Sequence, residues 1–129
     1  MALIDNVKSA LRVSTSFYNT EIQGYIDSAI GDLAVAGVVV PAYDATTEYI
    51  VGTACFYNGV PYICITATTG AFDSACWAQD WLYTTAVITY VRSRFGSPAD
   101  YDKLKAAYDE QKAQLSMNSR YTNFADYGL

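Results

Sequence analysis

Two stretches near the start of the chain place apolar residues at the spacing of one helical face. The first predicts a short helix over residues 3–11. The second predicts a helix from Thr20, as N-cap with Gln23 as its capping-box partner, to about Ala36. Gly37 suits the position just beyond that helix. The two apolar stripes are Leu3, Val7, Ala10 and Leu11, then Ile22, Ile26, Ala29, Ile30 and Leu33.

The second half of the chain predicts two further helices. One follows Asp80, a suitable N-cap, and is apolar nearly all round as far as Phe95, so we expect a buried central helix. The other starts at Ser97-Pro98-Ala99-Asp100, a capping residue followed by proline at the first helical position, and runs to about Met117. The inner face of this last helix is predicted to be Leu104, Tyr108, Gln111 and Leu115.

The segment between the second and third helices reads as strand and turn. Two β-rich runs, Tyr49–Tyr57 and Val60–Thr66, flank Asn58-Gly59, a pair that favours a type I′ turn because both residues accept positive φ. The predicted fold class is mainly α, a frame of four helices with a small antiparallel β-module between helices 2 and 3. The predicted divisions are residues 1–42 and 79–117 for the helical frame, 43–78 for the β-insert and 118–129 for a C-terminal tail.

Composition excludes several classes of protein. The 129 residues are 52% hydrophobic and 16% charged, which suits one compact globular domain. No apolar run approaches the ~20 residues of a membrane span, and the N-terminus lacks the basic region and apolar core of a signal peptide. The chain has no histidine, the commonest general base and metal ligand, and no Gly-rich phosphate loop. We therefore expect no enzyme activity, no cofactor, no metal and no membrane partner.

The three cysteines, Cys55, Cys64 and Cys76, all lie in the β-insert. Their spacing does not match the C-x-x-C pairs of zinc sites. In a two-residue hairpin Cys55 and Cys64 fall on one face as diagonal neighbours, which is a poor geometry for a disulfide. We expect reduced cysteines that serve as small buried apolar residues.

The net charge of −5 is distributed unevenly along the chain. Residues 13–91 contain seven acids and no Lys or Arg, whereas six of the eight cations lie between Arg92 and Arg120. A protein that grips nucleic acid neutralises phosphates with a basic stripe, so we expect only weak, non-specific DNA binding. The acidic surface serves either for solubility alone or for the passage of DNA without adhesion.

Aromatic residues are unusually frequent, with twelve tyrosines in the chain. They suit protein interfaces, and they also suit small cores that need large side chains. The tail carries Tyr121, Phe124 and Tyr127 at a spacing of three, although Asn118, Asn123 and Gly128 weaken a helix there. Such a segment docks on a neighbour or folds back onto its own domain. We predict a partner-docking tail anchored by its three aromatic residues.

The helical frame resembles the head–tail connector (adaptor) proteins of tailed bacteriophages over about Leu3–Gly37 and Trp81–Leu115. The residues that match the first three helices of that family are Lys8, Leu11 and Arg12, then Ile22, Ile26 and Ala29, then Ala86, Tyr90, Arg92 and Arg94. The chain departs from the family in loop 14–19, which lacks the usual acids, and in the long connection between helices 2 and 3.

The resemblance implies a structural protein of the virion neck, made in the host cytoplasm. Its partners would be further copies in a ring of about twelve, joined by heterologous contacts, together with the portal protein and a tail-completion (stopper) protein. DNA would pass through the lumen without specific binding, and the C-terminal tail would couple to a neighbouring ring. The family joins helices 2 and 3 by a short loop. The ends of the β-insert should therefore lie close together, and a short linker in its place should leave the frame folded.

The β-insert has a resemblance of its own. Tyr49-x-x-Gly52, Phe56-Tyr57-Asn58-Gly59-Val60-x-Tyr62, Gly70-Ala71-Phe72-Asp73 and Trp77 resemble the small three-stranded modules of the chitin- and cellulose-binding type. This resemblance implies an alternative function, a carbohydrate-binding surface module on a helical support, with Tyr49, Tyr62 and Trp77 as the contact residues. Exposure of those three rings in a flat row favours sugar binding, whereas their burial together favours a structural role.

Overall fold

A computed structural model describes residues 2–122 of the chain. The predicted layout is confirmed: four main helices, with a three-stranded antiparallel sheet between the second and the third. The fold is mixed α/β, because residues 36–80 form strands, turns and one short 3₁₀ turn. The elements are α1 Leu3–Leu11, α2 Asn19–Val35, β1 Ala54–Tyr57, β2 Val60–Cys64, β3 Trp77–Gln79, α3 Trp81–Arg94, α4 Tyr101–Ser116 and the one-turn α5 Ser119–Thr122.

Helix α3 is the central helix, as its apolar sequence predicts. It packs against α1, α2 and α4, and Ala86, Val87 and Val91 are fully buried along it. The expectation fails at its first turn, where the side chains of Trp81 and Leu82 are 57% and 55% exposed. An apolar face that the monomer leaves uncovered at one end of its central helix becomes a candidate contact surface.

The helix ends follow local signals only in part. Asp80 caps α3 by accepting a hydrogen bond from the Tyr83 N–H at 3.3 Å, as predicted. Gly37, with φ of 89°, closes α2 in the predicted position, and the next residue donates its N–H to the Leu33 carbonyl at 2.8 Å. The predicted capping box is wrong, because α2 begins at Asn19 and Gln23 donates to Asp27 instead.

The predicted start of α4 is also wrong. Gly96 and Ser97 both adopt positive φ, 71° and 50°, and together they turn the chain sharply after α3. Ser97 is used in that turn and does not cap a helix, so α4 begins at Tyr101 with Asp100 as its N-cap residue. The inner face of α4 is confirmed at Leu104, Tyr108 and Leu115, which are buried.

The hairpin forms at the predicted turn. Asn58 and Gly59 have φ of 50° and 75°, and Tyr57 pairs with Val60 across a two-residue loop of the type I′ kind. The first strand is shorter than predicted and starts at Ala54, because Gly52 (φ 96°) turns the chain just before it.

The sheet lies between two cores. On one face Ala54 belongs to the helical core, Pro61 is fully buried, and the Phe56 ring meets Tyr83 at a centroid distance of 5.5 Å. The other face carries a second core, centred on Tyr49, Cys55, Cys64 and Trp77. Each face of this small sheet therefore supports a different set of side chains.

Backbone hydrogen bonds also join the β-insert to the helices. The turn carbonyl of Gly59 accepts the first N–H of α1, from Leu3, at 3.1 Å, and Asp80 N–H donates to Pro61 at 2.8 Å. Ala42 pairs beside Phe56 while Asp80 bonds to β2 from its far side, so the chain enters and leaves on opposite edges of the sheet. Three strand spacings put those two ends roughly 14 Å apart. We expected them to lie close together, as a short loop between the helices requires, and the ends are further apart than that.

Candidate functional site

The aromatic residues proposed for sugar contact do not form a flat exposed row. Tyr49 and Trp77 are each only 5% exposed, and their ring centroids lie 5.1 Å apart in an edge-to-face contact. Tyr62 is half-buried beside Phe72. Tyr43, which the sequence did not indicate as a contact residue, stacks on Tyr49 at 5.1 Å and belongs to the same cluster. Burial of two of the three candidate rings favours a structural role for the module.

The cysteines are free thiols in the same core. Cys55 pairs with Tyr62, which makes Cys64 its diagonal neighbour as predicted. Burial, with Cys64 nearby, raises the pKa of the Cys55 thiol to about 12. Burial also raises the pKa of Cys64, so both thiols are neutral and poor nucleophiles near pH 7. Within residues 2–122, no group of His, Cys, Asp or Glu is arranged to hold a metal ion.

The aromatic tail residue Tyr121 lies in the helical core, not on the surface. It is 1% exposed, and its hydroxyl donates to the buried carboxylate of Asp80 at 2.5 Å. Arg120 approaches the other oxygen of Asp80 at 3.3 Å. Burial and the nearby Asp80 carboxylate raise the pKa of Tyr121. The prediction that Tyr121 docks on a partner is therefore wrong, because its side chain is buried and hydrogen-bonded within the monomer.

The other two tail aromatics, Phe124 and Tyr127, lie outside the described residues. Their docking role stays a prediction. The contact that fixes Tyr121 joins residues 41 positions apart, so local periodicity in the tail gave no signal for it.

A second Tyr–Asp pair joins α2 to α4. Tyr108 donates to Asp32 at 2.5 Å, and Lys112 lies 3.3 Å from the same oxygen. Burial acts to raise the pKa of Asp32, but the hydrogen bond from Tyr108 and the positive charge of Lys112 outweigh it, so the pKa is lowered. The arrangement holds two helices together and leaves the carboxylate ionised.

The charged side chains at the surface follow the uneven distribution seen in the sequence, with acids in residues 13–91 and most cations in residues 92–120. Five acids of residues 13–91 are exposed: Glu21, Asp27, Asp44, Glu48 and Asp73. Three of the six cations of residues 92–120 pair with acids, Lys105 with Asp109, Lys112 with Asp32 and Arg120 with Asp80. Exposed acids thus predominate in residues 13–91, whereas half of the cations of residues 92–120 lie in ion pairs.

An exposed aromatic surface lies at the C-terminal end of α3. Phe17, in the loop between α1 and α2, is 82% exposed. Its ring contacts Tyr18 edge-on at 5.0 Å, and Tyr18 contacts Phe95 at 5.3 Å. Phe95 directly follows α3, so the loop is fixed against that end of the helix. We refer to residues 14–18 as the Phe17 loop.

An apolar groove lies at the opposite end of α3. It has a volume of about 330 Å³, and its lining is Leu82, Thr85, Gln111, Gln114, Leu115 and Asn118. Leu115 is buried at 4% exposure while Leu82 is mostly open to solvent. Gln111 Oε1 is buried and has no hydrogen-bond partner among the described residues. We call this the α3–α4 groove; the sequence did not predict it, because two helices create it jointly.

The chain was compared with protein-family models, curated proteins and solved structures. No family model, no curated protein and no solved structure matches the chain. None of the helices in residues 2–122 combines the length and hydrophobicity that crossing a membrane requires.

Proposed function

We propose that this chain is a structural head–tail connector (adaptor) protein of a tailed-phage neck. In this role it forms a ring between the portal protein and a tail-completion (stopper) protein, and DNA passes through the lumen. The observation that carries the proposal is the pair of exposed apolar surfaces at opposite ends of α3. A ring built by heterologous contacts needs two different surfaces on each copy, whereas a two-fold dimer uses one surface twice.

The composition of those surfaces supports protein contact. Phe17 at one end and Trp81 at the other are more than half exposed, and large aromatic residues are enriched at interface centres. The distance between these two surfaces is set by the length of α3, whose 14 residues span about 21 Å. Two apolar surfaces that far apart on one rigid helix suit successive neighbours in a ring.

The charge distribution supports passage of DNA without adhesion. The exposed acids of residues 13–91 repel phosphates, and half of the cations in residues 92–120 are neutralised in ion pairs. The role is thus structural and needs neither a cofactor nor a catalytic group. Phe124 and Tyr127 are the remaining candidates for coupling the ring to its neighbour, since Tyr121 is used in the monomer.

The experiment that tests the function is imaging of the assembled particle. The protein is tagged in its host phage, and virions are examined by electron microscopy with a label against the tag. We expect label at the neck, between head and tail, and we expect phage that lack the protein to accumulate full heads without tails. Label on the capsid surface or tail fibre, or none on the virion, contradicts the proposal.

A further inference from the structure

We propose that Phe17 of one copy docks in the α3–α4 groove of the next copy. The inference rests on the proposed ring, and it names the contact by which the copies join. Phe17 is 82% exposed and lies near the C-terminal end of α3, whereas the groove lies at the N-terminal end of α3. The two surfaces form one interface when they come from different molecules.

The Phe17 loop is ordered for such a contact. The Phe17 N–H donates to Thr15 Oγ1 at 3.2 Å, which closes a small turn within the loop. Tyr18 anchors the base of the loop by its edge-on contact with Phe95 at 5.3 Å. The exposed ring is therefore presented from a fixed base, and a fixed side chain loses less entropy on binding than a mobile one.

The groove matches this loop in its lack of charge and in its apolar character. Its six lining residues are all uncharged, and so are residues 13–20 around Phe17. The buried Leu115 and the exposed Leu82 offer an apolar slot for a phenyl ring. Two surfaces without charge meet without the desolvation cost of unpaired ions.

The groove also holds an acceptor that lacks a donor. Gln111 Oε1 is buried and has no hydrogen-bond partner among residues 2–122, a condition that costs free energy until a donor arrives. The Phe17 loop carries two exposed serines, Ser14 and Ser16, which are close to Phe17 in the sequence. An occupant with an apolar ring and neighbouring O–H donors satisfies both features of the groove at once.

The contact cannot form within one molecule. Tyr18 fixes the Phe17 loop beside Phe95, after the last turn of α3, whereas Leu82 lies in its first turn. The helix between them is about 21 Å long. Docking in trans is therefore required, and because the two surfaces differ, each copy can bind one neighbour on each side.

The first test measures self-association of the full chain by sedimentation velocity and light scattering. Phe17→Ala and Leu82→Arg should each raise the dissociation constant at least thirtyfold, the scale expected for a central interface residue. Val35→Ala is the matched control, because Val35 is 90% exposed at the end of α2 and lies outside both surfaces. Association of Phe17→Ala at the wild-type constant overturns the contact, as does a wild-type protein that stays monomeric throughout.

The second test is a mixture of the two variants. Phe17→Ala keeps its groove and Leu82→Arg keeps its loop, so one interface can form and growth then stops. We expect 1:1 dimers in the mixture, and larger rings only for the wild type. A mixture that stays monomeric while the wild type assembles overturns the pairing of these two surfaces.

The alternative occupant is the chain's own segment 123–129. If truncation after Thr122 abolishes association and Phe17→Ala leaves it unchanged, that segment fills the groove and the Phe17 contact is wrong. Neither result bears on location in the virion, which the labelling experiment decides separately. The ring contact and the neck function can thus fail independently.

Discussion

The two cores of this protein, one on each face of its sheet, are built on different principles. The helical core combines aliphatic side chains such as Ile26, Leu33 and Val87, supplied at helical spacing by long regular elements, with four buried tyrosines: Tyr83, Tyr90, Tyr108 and Tyr121. The second core has only short strands and loops to build on, and it is filled by aromatic rings and thiols around Trp77. A few large rings bury enough area to order loops that regular structure does not hold. The frequency of tyrosine is thus explained partly by the two cores and not by interfaces alone.

The sheet couples the two cores, so the largest expected effect is that of removing it. Replacement of residues 43–78 by a Gly/Ser linker should prevent folding, because the helical core loses Ala54 and its contact with Phe56. The linker must also bridge opposite edges of the missing sheet. Circular dichroism and cooperative thermal unfolding of the deletion protein measure this outcome. A deletion protein with a sharp transition near that of the wild type means that the helical frame is independent after all.

Truncation at the centre of the second core should destabilise the whole molecule. Trp77→Ala removes a nearly buried ring and should lower the free energy of unfolding by about 3–5 kcal/mol. Because the sheet joins the cores, we expect one transition when urea unfolding is followed by far-UV circular dichroism and by Trp81 fluorescence. Trp81→Phe is the matched control, since Trp81 is 57% exposed and its loss should have little effect on stability. Two separate transitions in Trp77→Ala indicate that the second core unfolds by itself.

Tyr121 stabilises the helical core both by its buried ring and by the hydrogen bond of its hydroxyl to Asp80. Tyr121→Phe keeps the ring but removes the hydroxyl that binds the buried Asp80, and should cost about 1–3 kcal/mol. Tyr101→Phe is the control, because Tyr101 is 39% exposed on α4. Urea unfolding of both variants measures the difference. Equal stability of Tyr121→Phe and the wild type means that the hydroxyl contributes nothing.

Near neutral pH the smallest effect expected is the pH dependence of the second core, which appears only as the solution becomes alkaline. The Cys55 thiol loses its proton near pH 8.5 in an unfolded chain, whereas in the fold its pKa is about 12. Between those values the folded state binds more protons, so the free energy of unfolding falls as pH rises, by up to about 1.4 kcal/mol per unit. This stabilisation is fully present below pH 8.5. Urea unfolding at pH 8, 9 and 10 should show a shallower decline for Cys55→Ala than for the wild type; equal declines contradict this explanation.

The features that the sequence predicted depend on residues close together in the chain. The hairpin follows from Asn58-Gly59, the start of α3 from Asp80, and the end of α2 from Gly37, each within a few residues of the structure it determines. Thr20 and Ser97 carry equally good capping signals, yet neither caps a helix. At Ser97 the sharp turn between α3 and α4, in which Gly96 and Ser97 both adopt positive φ, replaces the capping conformation.

The candidate site could not be predicted in the same way. The α3–α4 groove combines Leu82 with Leu115, residues from two helices that meet only in the folded molecule. The burial of Tyr121 against Asp80 is likewise a contact between distant parts of the chain. In the sequence Phe17 is one residue of the loop 14–19, and its 82% exposure is a property of the fold. Long-range contacts of this kind leave no periodic trace in a single sequence.

The bond between Tyr121 and Asp80 has a consequence for synthesis on the ribosome. Asp80 and the start of α3 emerge from the exit tunnel well before Tyr121 does, so a growing chain holds this carboxylate without its phenol partner. Burial of that group in the unfinished chain is penalised, and the helical core closes only after residue 121 has been translated. Products of premature termination upstream of Arg120 should therefore stay open to cellular proteases.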